Sequence, residues 1–304
     1  MILQRSSFSI SGGAMRLRGL LLLAAGILLT TRPGTAQQSV TPHVEAELLS
    51  AVESIQGGKP FHLALRLRME NGWHTYWQNP GDAGMATGIA WKLPEGFTAG
   101  PILWPMPARI GEPPEVSYGY DGEVLLLTEI TPPRDLPPGR ITIEAAANWL
   151  VCKEACIPGK KTLSLSLPAT RGEGAPNRRW SDAFARTLRN LPVEQGEQKG
   201  SAWLRGDTIL LRLPIPPGAK PVTAEDLYFF PSDEGVIDHS VPQHITLTGT
   251  MVDLVLLRSQ YADAPPTAIR GVLASSKEWI DGHPGITIAL QVEPGQKAGG
   301  ASAQ

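Results

Sequence analysis

Phe61-His62-Leu63-Ala64-Leu65-Arg66-Leu67-Arg68 places an apolar side chain at every second position. Successive side chains of a β-strand point to opposite faces, so this alternation marks a strand with one buried and one wet face. Thr162-Leu163-Ser164-Leu165-Ser166-Leu167 and Ile286-Thr287-Ile288-Ala289-Leu290-Gln291-Val292 repeat the pattern. Turn-forming clusters punctuate the runs at Gly57-Gly58-Lys59-Pro60, Asn79-Pro80-Gly81-Asp82, Pro137-Pro138-Gly139 and Pro158-Gly159. Many short alternating strands between Gly/Pro turns predict an all-β protein made of β-sandwich domains.

One stretch departs from the alternation. Trp180, Phe184, Leu188 and Leu191 recur at the spacing of one face of a short helix, and Pro192 would stop it. The preceding Gly172–Pro176 stretch reads as a linker. The sequence therefore predicts a first sandwich over 37–171, a short helical linker over 172–195, a second sandwich over 196–293 and a disordered tail over 294–304. The two halves read as a duplication. Ile102-Leu103-Trp104-Pro105 matches Leu227-Tyr228-Phe229-Phe230-Pro231, and Val124–Leu127 matches Leu254–Leu257. Ala146–Trp149 likewise matches Ser275–Trp279. The second half has no cysteine and lacks the whole Gly72–Gly88 segment, so chemistry is expected in the first.

The 304 residues are 42% hydrophobic and only 18% charged, enough apolar chain for real cores. A formal net charge of −2 gives no electrostatic reason to expect nucleic acid. Arg16 and Arg18 precede the apolar run Gly19–Leu29, and the small residues Gly34-Thr35-Ala36 follow it. These are the parts of a secretory signal, expected over residues 1–36 and cleaved before Gln37. The run is too short for the roughly 20 residues that span a bilayer. The mature chain is thus expected in the periplasm without a membrane span, where disulfides persist.

The two cysteines lie in Asn148-Trp149-Leu150-Val151-Cys152-Lys153-Glu154-Ala155-Cys156-Ile157-Pro158. Four residues of extended chain would hold their α-carbons about 13 Å apart, beyond the ~7 Å reach of a disulfide. A bond between them needs a tight turn at Lys153-Glu154-Ala155, with strands leaving on either side. Closing so short a loop restricts the unfolded chain by only about 2 kcal/mol, a poor staple. That favours a redox pair over a structural disulfide or a metal site, all three remaining open from the residues alone. Lys153, Lys160 and Lys161 would favour a thiolate if close, and Glu154 would oppose it.

Gly72-Trp73-His74-Thr75-Tyr76-Trp77-Gln78-Asn79-Pro80-Gly81-Asp82-Ala83-Gly84, then Tyr118-Gly119-Tyr120, then the cysteine segment, resemble the N-terminal periplasmic domain of the DsbD thiol:disulfide interchange family, in its ScsB-like branch. The resemblance implies two immunoglobulin-like domains and places the redox pair at Cys152 and Cys156, the second forming the mixed disulfide. It also implies a cap loop at about Val116–Tyr120, including Ser117 and Tyr118, and aromatic neighbours of the disulfide among Trp73, His74 and Tyr76. The implied activity is protein-disulfide reductase-type electron transfer without a cofactor. The implied partners are thioredoxin-fold periplasmic proteins and a membrane-linked electron donor, since the family's membrane and thioredoxin-like domains have no counterpart in these residues. The three-residue spacing between the cysteines is tighter than in well-known members.

The rival reading is a non-catalytic periplasmic binding or chaperone-like module with a structural disulfide. Met85, Met106 and His74 include soft copper ligands, but without regular spacing they predict no metal site. His239 and His244 read as structural or solvated, and Asp82 and Asp121 as turn residues.

Overall fold

A computed structural model describes residues 42–195, 200–262 and 264–294. The expected leader and the tail beyond Pro294 lie outside the described residues. No helix among the described residues is long and apolar enough to cross a membrane.

The chain opens with β1 (Val44–Ser50), the two-residue β2 (Ile55–Gln56), β3 (Phe61–Met69) and β4 (His74–Gly81). It continues with β5 (Gly88–Lys92), β6 (Thr98–Leu103), β7 (Ala108–Ile110), β8 (Ser117–Asp121) and β9 (Glu123–Thr131). A long hairpin, β10 (Gly139–Cys152) and β11 (Cys156–Thr170), completes the first set. Helix α1 (Ser181–Arg189) follows, then β12 (Ser201–Arg205), β13 (Thr208–Pro214) and β14 (Leu227–Pro231). The last strands are β15 (His244–Thr248), β16 (Met251–Leu257), β17 (Ala268–Ser275) and β18 (Gly285–Pro294).

The first set forms two facing sheets, ordered β1-β3-β9-β6 and β2-β11-β10-β4-β8-β7, with β5 also on β10. Alternation explains the packing. Leu63, Leu65 and Leu67 of β3 are fully buried and meet Trp77, Ile143, Ala145, Trp149 and Val151 from the opposite sheet. Each such leucine stabilises the fold by about 1.5–3 kcal/mol. Ala64 points to the other face, where Phe184 of α1 packs with Leu49, Leu125 and Leu127. The helix thus closes the outer side of the first sheet, on the face away from the second sheet. The stretch read as a linker lies along the chain after β1: Glu53 N donates to Ala175 O at 2.7 Å, and Ala175 N to Ser54 Oγ at 2.9 Å.

Residues 201–294 form a second sandwich. β12-β13-β16-β15 make one layer and β14-β17-β18 the other. β18 joins them, pairing with β17 as far as Gln291 and with β12 from Val292 onward. Both halves are all-antiparallel apart from short parallel contacts, as immunoglobulin-like sandwiches are. The pairings correspond strand by strand: β12, β13, β16 and β15 take the places of β1, β3, β9 and β6. β14, β17 and β18 take those of the β4/β5 edge, β10 and β11. The expected match of Ile102–Pro105 with Leu227–Pro231 is therefore wrong. The former lies in and after β6, which pairs with β9; the latter is β14, which pairs with β17. Two apolar runs of similar sequence occupy opposite layers, because period-2 patterning does not say which sheet a strand joins.

The sandwiches share a core. Phe230, Val272 and Ala274 join the first sandwich's cluster, with Phe230 edge-on to Trp77 and Tyr118. Asn79 Nδ2 donates to the carbonyls of Pro231 at 2.8 Å and Asp233 at 3.1 Å, and Gln78 Nε2 donates to Ser232 Oγ at 3.0 Å.

Candidate functional site

The β10–β11 hairpin runs in unbroken register from Gly139↔Ala169 to Cys152↔Cys156. Its last cross-strand pair is a disulfide, with α-carbons 4.2 Å apart and Lys153-Glu154-Ala155 as the tip. The turn falls at Lys153-Glu154-Ala155 as expected, and the return strand starts at Cys156 itself. Pro158-Gly159 is not a turn: it continues β11. Along this stretch the strand paired with β11 among the described residues is β10, and β2 pairs with it at Ala169–Thr170. A proline without N–H is tolerated on the edge of a sheet.

The two sulfurs sit in unlike surroundings. Cys152 is 3% exposed, whereas Cys156 belongs to the exposed tip. Two ring side chains from β4 flank the bond. His74 lies directly across from Cys152, so their side chains share one face of the sheet. Tyr76, two residues on and hence on that same face, places its hydroxyl 3.7 Å from Cys156 Sγ. An oxidised sulfur carries no proton, so the phenol is the donor. His74 and Tyr76 meet edge to face at 5.3 Å. Burial pulls the His74 imidazole below its usual value, and the Asp121 carboxylate pulls it partly back. Burial pushes the Tyr76 phenol up, with Glu115 adding to the rise.

The expected cap is not where the sequence put it. Val116, Ser117, Tyr118 and Tyr120 are buried at 0%, 8%, 0% and 7% exposure, in and just before β8, which pairs with β4 and β7. Tyr120 donates its hydroxyl proton to the Pro105 carbonyl at 2.8 Å. The Tyr118 hydroxyl is hydrogen-bonded to Tyr228 and His239 of the second sandwich at 3.0 and 2.7 Å. Neither tyrosine reaches the disulfide, because alternation turns both into the core. What lies over the site is the loop after β4. The backbone of Gly84, at φ +128°, sits against the Tyr76 ring so closely that a Cβ there would overlap it. Val116 and Ser117 hold this loop: Val116 N donates to Asp82 Oδ2 at 2.8 Å and Ser117 Oγ to Ala83 O at 3.1 Å. Trp73 faces away from His74 and stacks on His43 at 3.9 Å, below which lies the first core.

The lysines divide likewise. Lys153 lies at the tip with its chain end against Gly72. Lys160 and Lys161 pair with Asn148 and Ala147, four and five residues from the disulfide pair. At about 3.4 Å per residue that is roughly 14–17 Å away, too far to set a thiolate. Lys161 Nζ instead donates to Ala46 O at 3.0 Å. Met106 lies against Gly285 of the second sandwich, not with His74, and no described group of histidine, cysteine and carboxylate side chains could hold a metal.

Residues 44–168 match the family described as the N-terminal domain of thiol:disulfide interchange protein DsbD. These residues are a DsbD N-terminal-like domain. The N-terminal periplasmic domain of ScsB from Proteus mirabilis shares the fold, with a TM-score of 0.59 at 17% identity. That alignment covers 82% of this chain and 94% of that one, so it extends over both sandwiches. Two further structures align over 82% of this chain: the periplasmic chaperone SfaE, at 10% identity over 100% of its own length, and Spo0M from Bacillus subtilis, at 8% over 90%. Their TM-scores of 0.20 and 0.21 carry no argument. A comparison with curated proteins finds no match. Family and disulfide together point the DsbD N-terminal-like domain to thiol–disulfide interchange. Two of its site features escaped the sequence reading. Asp121 was read as a turn residue, although its place two residues after Gly119, on β8, sets it opposite His74. Gly84 carried no signal beyond being a glycine close to an aromatic segment.

Proposed function

We propose that the DsbD N-terminal-like domain is the exchange module of a periplasmic electron-transfer protein, with residues 37–171 as that module and 196–293 as its companion. Cys152 and Cys156 take electrons from a membrane-linked donor and pass them to thioredoxin-fold partners by dithiol–disulfide exchange, with no cofactor. The observation that carries this reading is the asymmetry of the disulfide at a hairpin tip, one cysteine exposed and the other buried. An incoming thiolate reaches Cys156, so Cys156 forms the mixed disulfide and Cys152 departs. A structural staple has no use for such access, and a five-residue loop closes too little chain to be a strong one.

The test is the reduction potential of the pair in glutathione buffers with thiol trapping. A value between about −180 and −270 mV, the range of exchange-active proteins, supports the reading. A Cys152→Ser variant should then accumulate mixed disulfides through Cys156 with a thioredoxin-fold protein. A bond that stays oxidised well below about −300 mV would return the domain to the structural-disulfide reading.

A further inference from the structure

Three side chains form a row across three neighbouring strands on the disulfide face. Cys152 of β10 stands opposite His74 of β4, and His74 stands opposite Asp121 of β8. Directly opposed residues of antiparallel strands keep their Cβ atoms roughly 4.5–5.5 Å apart on one face. The order is sulfur, imidazole, carboxylate: a reacting atom, a base, and a group that orients the base. We propose that His74, oriented by Asp121, is the proton relay of Cys152, giving its proton to the Cys152 sulfur when the disulfide opens and taking one back when it closes. The proposal rests on the exchange reading above and adds a residue to its machinery.

The need for a relay follows from burial. When a partner thiolate attacks Cys156 Sγ, the Cys152–Cys156 bond breaks and a bond between Cys156 and the partner forms. The electron pair of the broken bond stays on Cys152 Sγ. Cys152 is 3% exposed, and an enclosed thiolate without a countercharge is disfavoured. The His74 proton neutralises it there. The partner's second thiolate then attacks the partner sulfur of the mixed disulfide and releases Cys156 as a thiolate, which takes a proton from water. Two electrons have moved from the two partner thiolates to the pair, whose two protons came from His74 and from water, and the reverse sequence returns them. Cys156 needs no such help, being exposed and facing the Tyr76 hydroxyl.

The charged and titrating groups around His74 fit this role. Asp121 faces it from β8, Cys152 from β10 and Tyr76 from its own strand. The tip brings Lys153 against Gly72, two residues before His74, and Glu115 is the carboxylate sensed by Tyr76. Burial keeps the imidazole below its usual value, so His74 must first take a proton from water before giving it to Cys152, which is why the step speeds up as pH falls. The nascent thiolate beside it draws the proton in.

The experiment follows reduction of the full chain by dithiothreitol from roughly pH 5 to 9, with rates expressed per attacking thiolate. The wild-type rate should rise as pH falls through an inflection below about 6.5. His74→Gln should abolish the inflection and slow the acid limb on the order of tenfold or more. Asp121→Asn, a change at an exposed position, should move the inflection to lower pH, because the carboxylate is what raises the imidazole. An inflection unchanged in His74→Gln overturns the relay, and if that variant does not fold, an inflection unmoved in Asp121→Asn does so. A wild-type disulfide that dithiothreitol reduces without any inflection sinks the relay alone. One that dithiothreitol cannot reduce at any pH sinks the exchange reading as well.

Discussion

Reducing the disulfide should leave the protein folded and cost it little. The bond joins directly opposed residues and closes a loop of five, Cys152 to Cys156. On the chain-entropy relation such a loop restricts the unfolded chain by about 2 kcal/mol at 25 °C. The rest of the hairpin needs no help from sulfur. Thirteen further register pairs run from Gly139 to Val151, and Trp149 and Val151 are fully buried just inside the bond. The same energy sets a redox quantity, because the stability difference between oxidised and reduced protein equals the difference in disulfide free energy between folded and unfolded chain. With two electrons and ~30 mV per 1.4 kcal/mol, folding should lower the potential by only about 40–45 mV. The assay is urea unfolding of the oxidised protein and of Cys152→Ser/Cys156→Ser, followed by circular dichroism. We expect equal slopes and a midpoint shift equivalent to about 2 kcal/mol. A loss of about 4 kcal/mol or more would show that the bond clamps the fold, and would refute both the loop argument and the redox reading built on it.

Three further outcomes follow from the geometry. Gly119→Ala would drive a Cβ into the Thr75 carbonyl, forcing β4 from β8 beneath Tyr76; a loss of roughly 3 kcal/mol or more is expected in thermal unfolding, and a neutral change would contradict the register. Gly84→Ala places a Cβ into the Tyr76 ring at a φ that suits only glycine, so about 2–4 kcal/mol of loop stability should be lost and dithiothreitol should reduce the disulfide faster. Burial holds the His239 imidazole below its usual value, so the unfolded chain binds its proton more readily than the folded one. This stabilisation is complete above about pH 6.5 and is lost as pH falls through the folded value, with a slope of at most about 1.4 kcal/mol per pH unit. Urea midpoints measured across that window should fall in the wild type and fall less in His239→Gln.

The sequence was most legible where burial alone decides the pattern. Phe61–Arg68, Thr162–Leu167 and Ile286–Val292 all lie within single strands, because one wet and one dry face leave an unambiguous period. It was least legible at glycine and proline. Asn79-Pro80-Gly81 and Pro158-Gly159 look alike as turn signals, yet the first is an irregular end of β4 and the second continues β11 in register with β10. A local signal states what the backbone can do, and the neighbouring strand decides what it does. The cysteine pair was legible because two residues four apart admit one local geometry. Its surroundings were not: the expected cap at Val116–Tyr120 fails because the face on which each residue of β8 points depends on its pairing with β4.

That pairing explains how one segment can serve two ends. Along β4, His74 and Tyr76 point to the disulfide, while Thr75 and Trp77 point inward, Thr75 Oγ1 donating to Leu150 O at 3.0 Å and Trp77 meeting Phe230 of the second sandwich. On β8, Asp121 and Gly119 face the disulfide side, and Tyr120 and Tyr118 face the core and the second sandwich. The second sandwich therefore packs on the face opposite the cysteines and leaves Cys156 open to a partner. The register then shifts between Tyr76 and Gly81, and the strand carries its polar groups to the second sandwich, where Gln78 and Asn79 reach Ser232, Pro231 and Asp233. A slip of one residue in β4 would exchange the two faces, setting Trp77 beside the sulfurs and Tyr76 in the core. The fully buried Trp77 and the three hydrogen bonds made by Asn79, two to the second sandwich and one from Gly81 N, oppose such a slip. The second sandwich thus contributes to the surroundings of the disulfide: by fixing the register of β4, it fixes where His74 and Tyr76 stand.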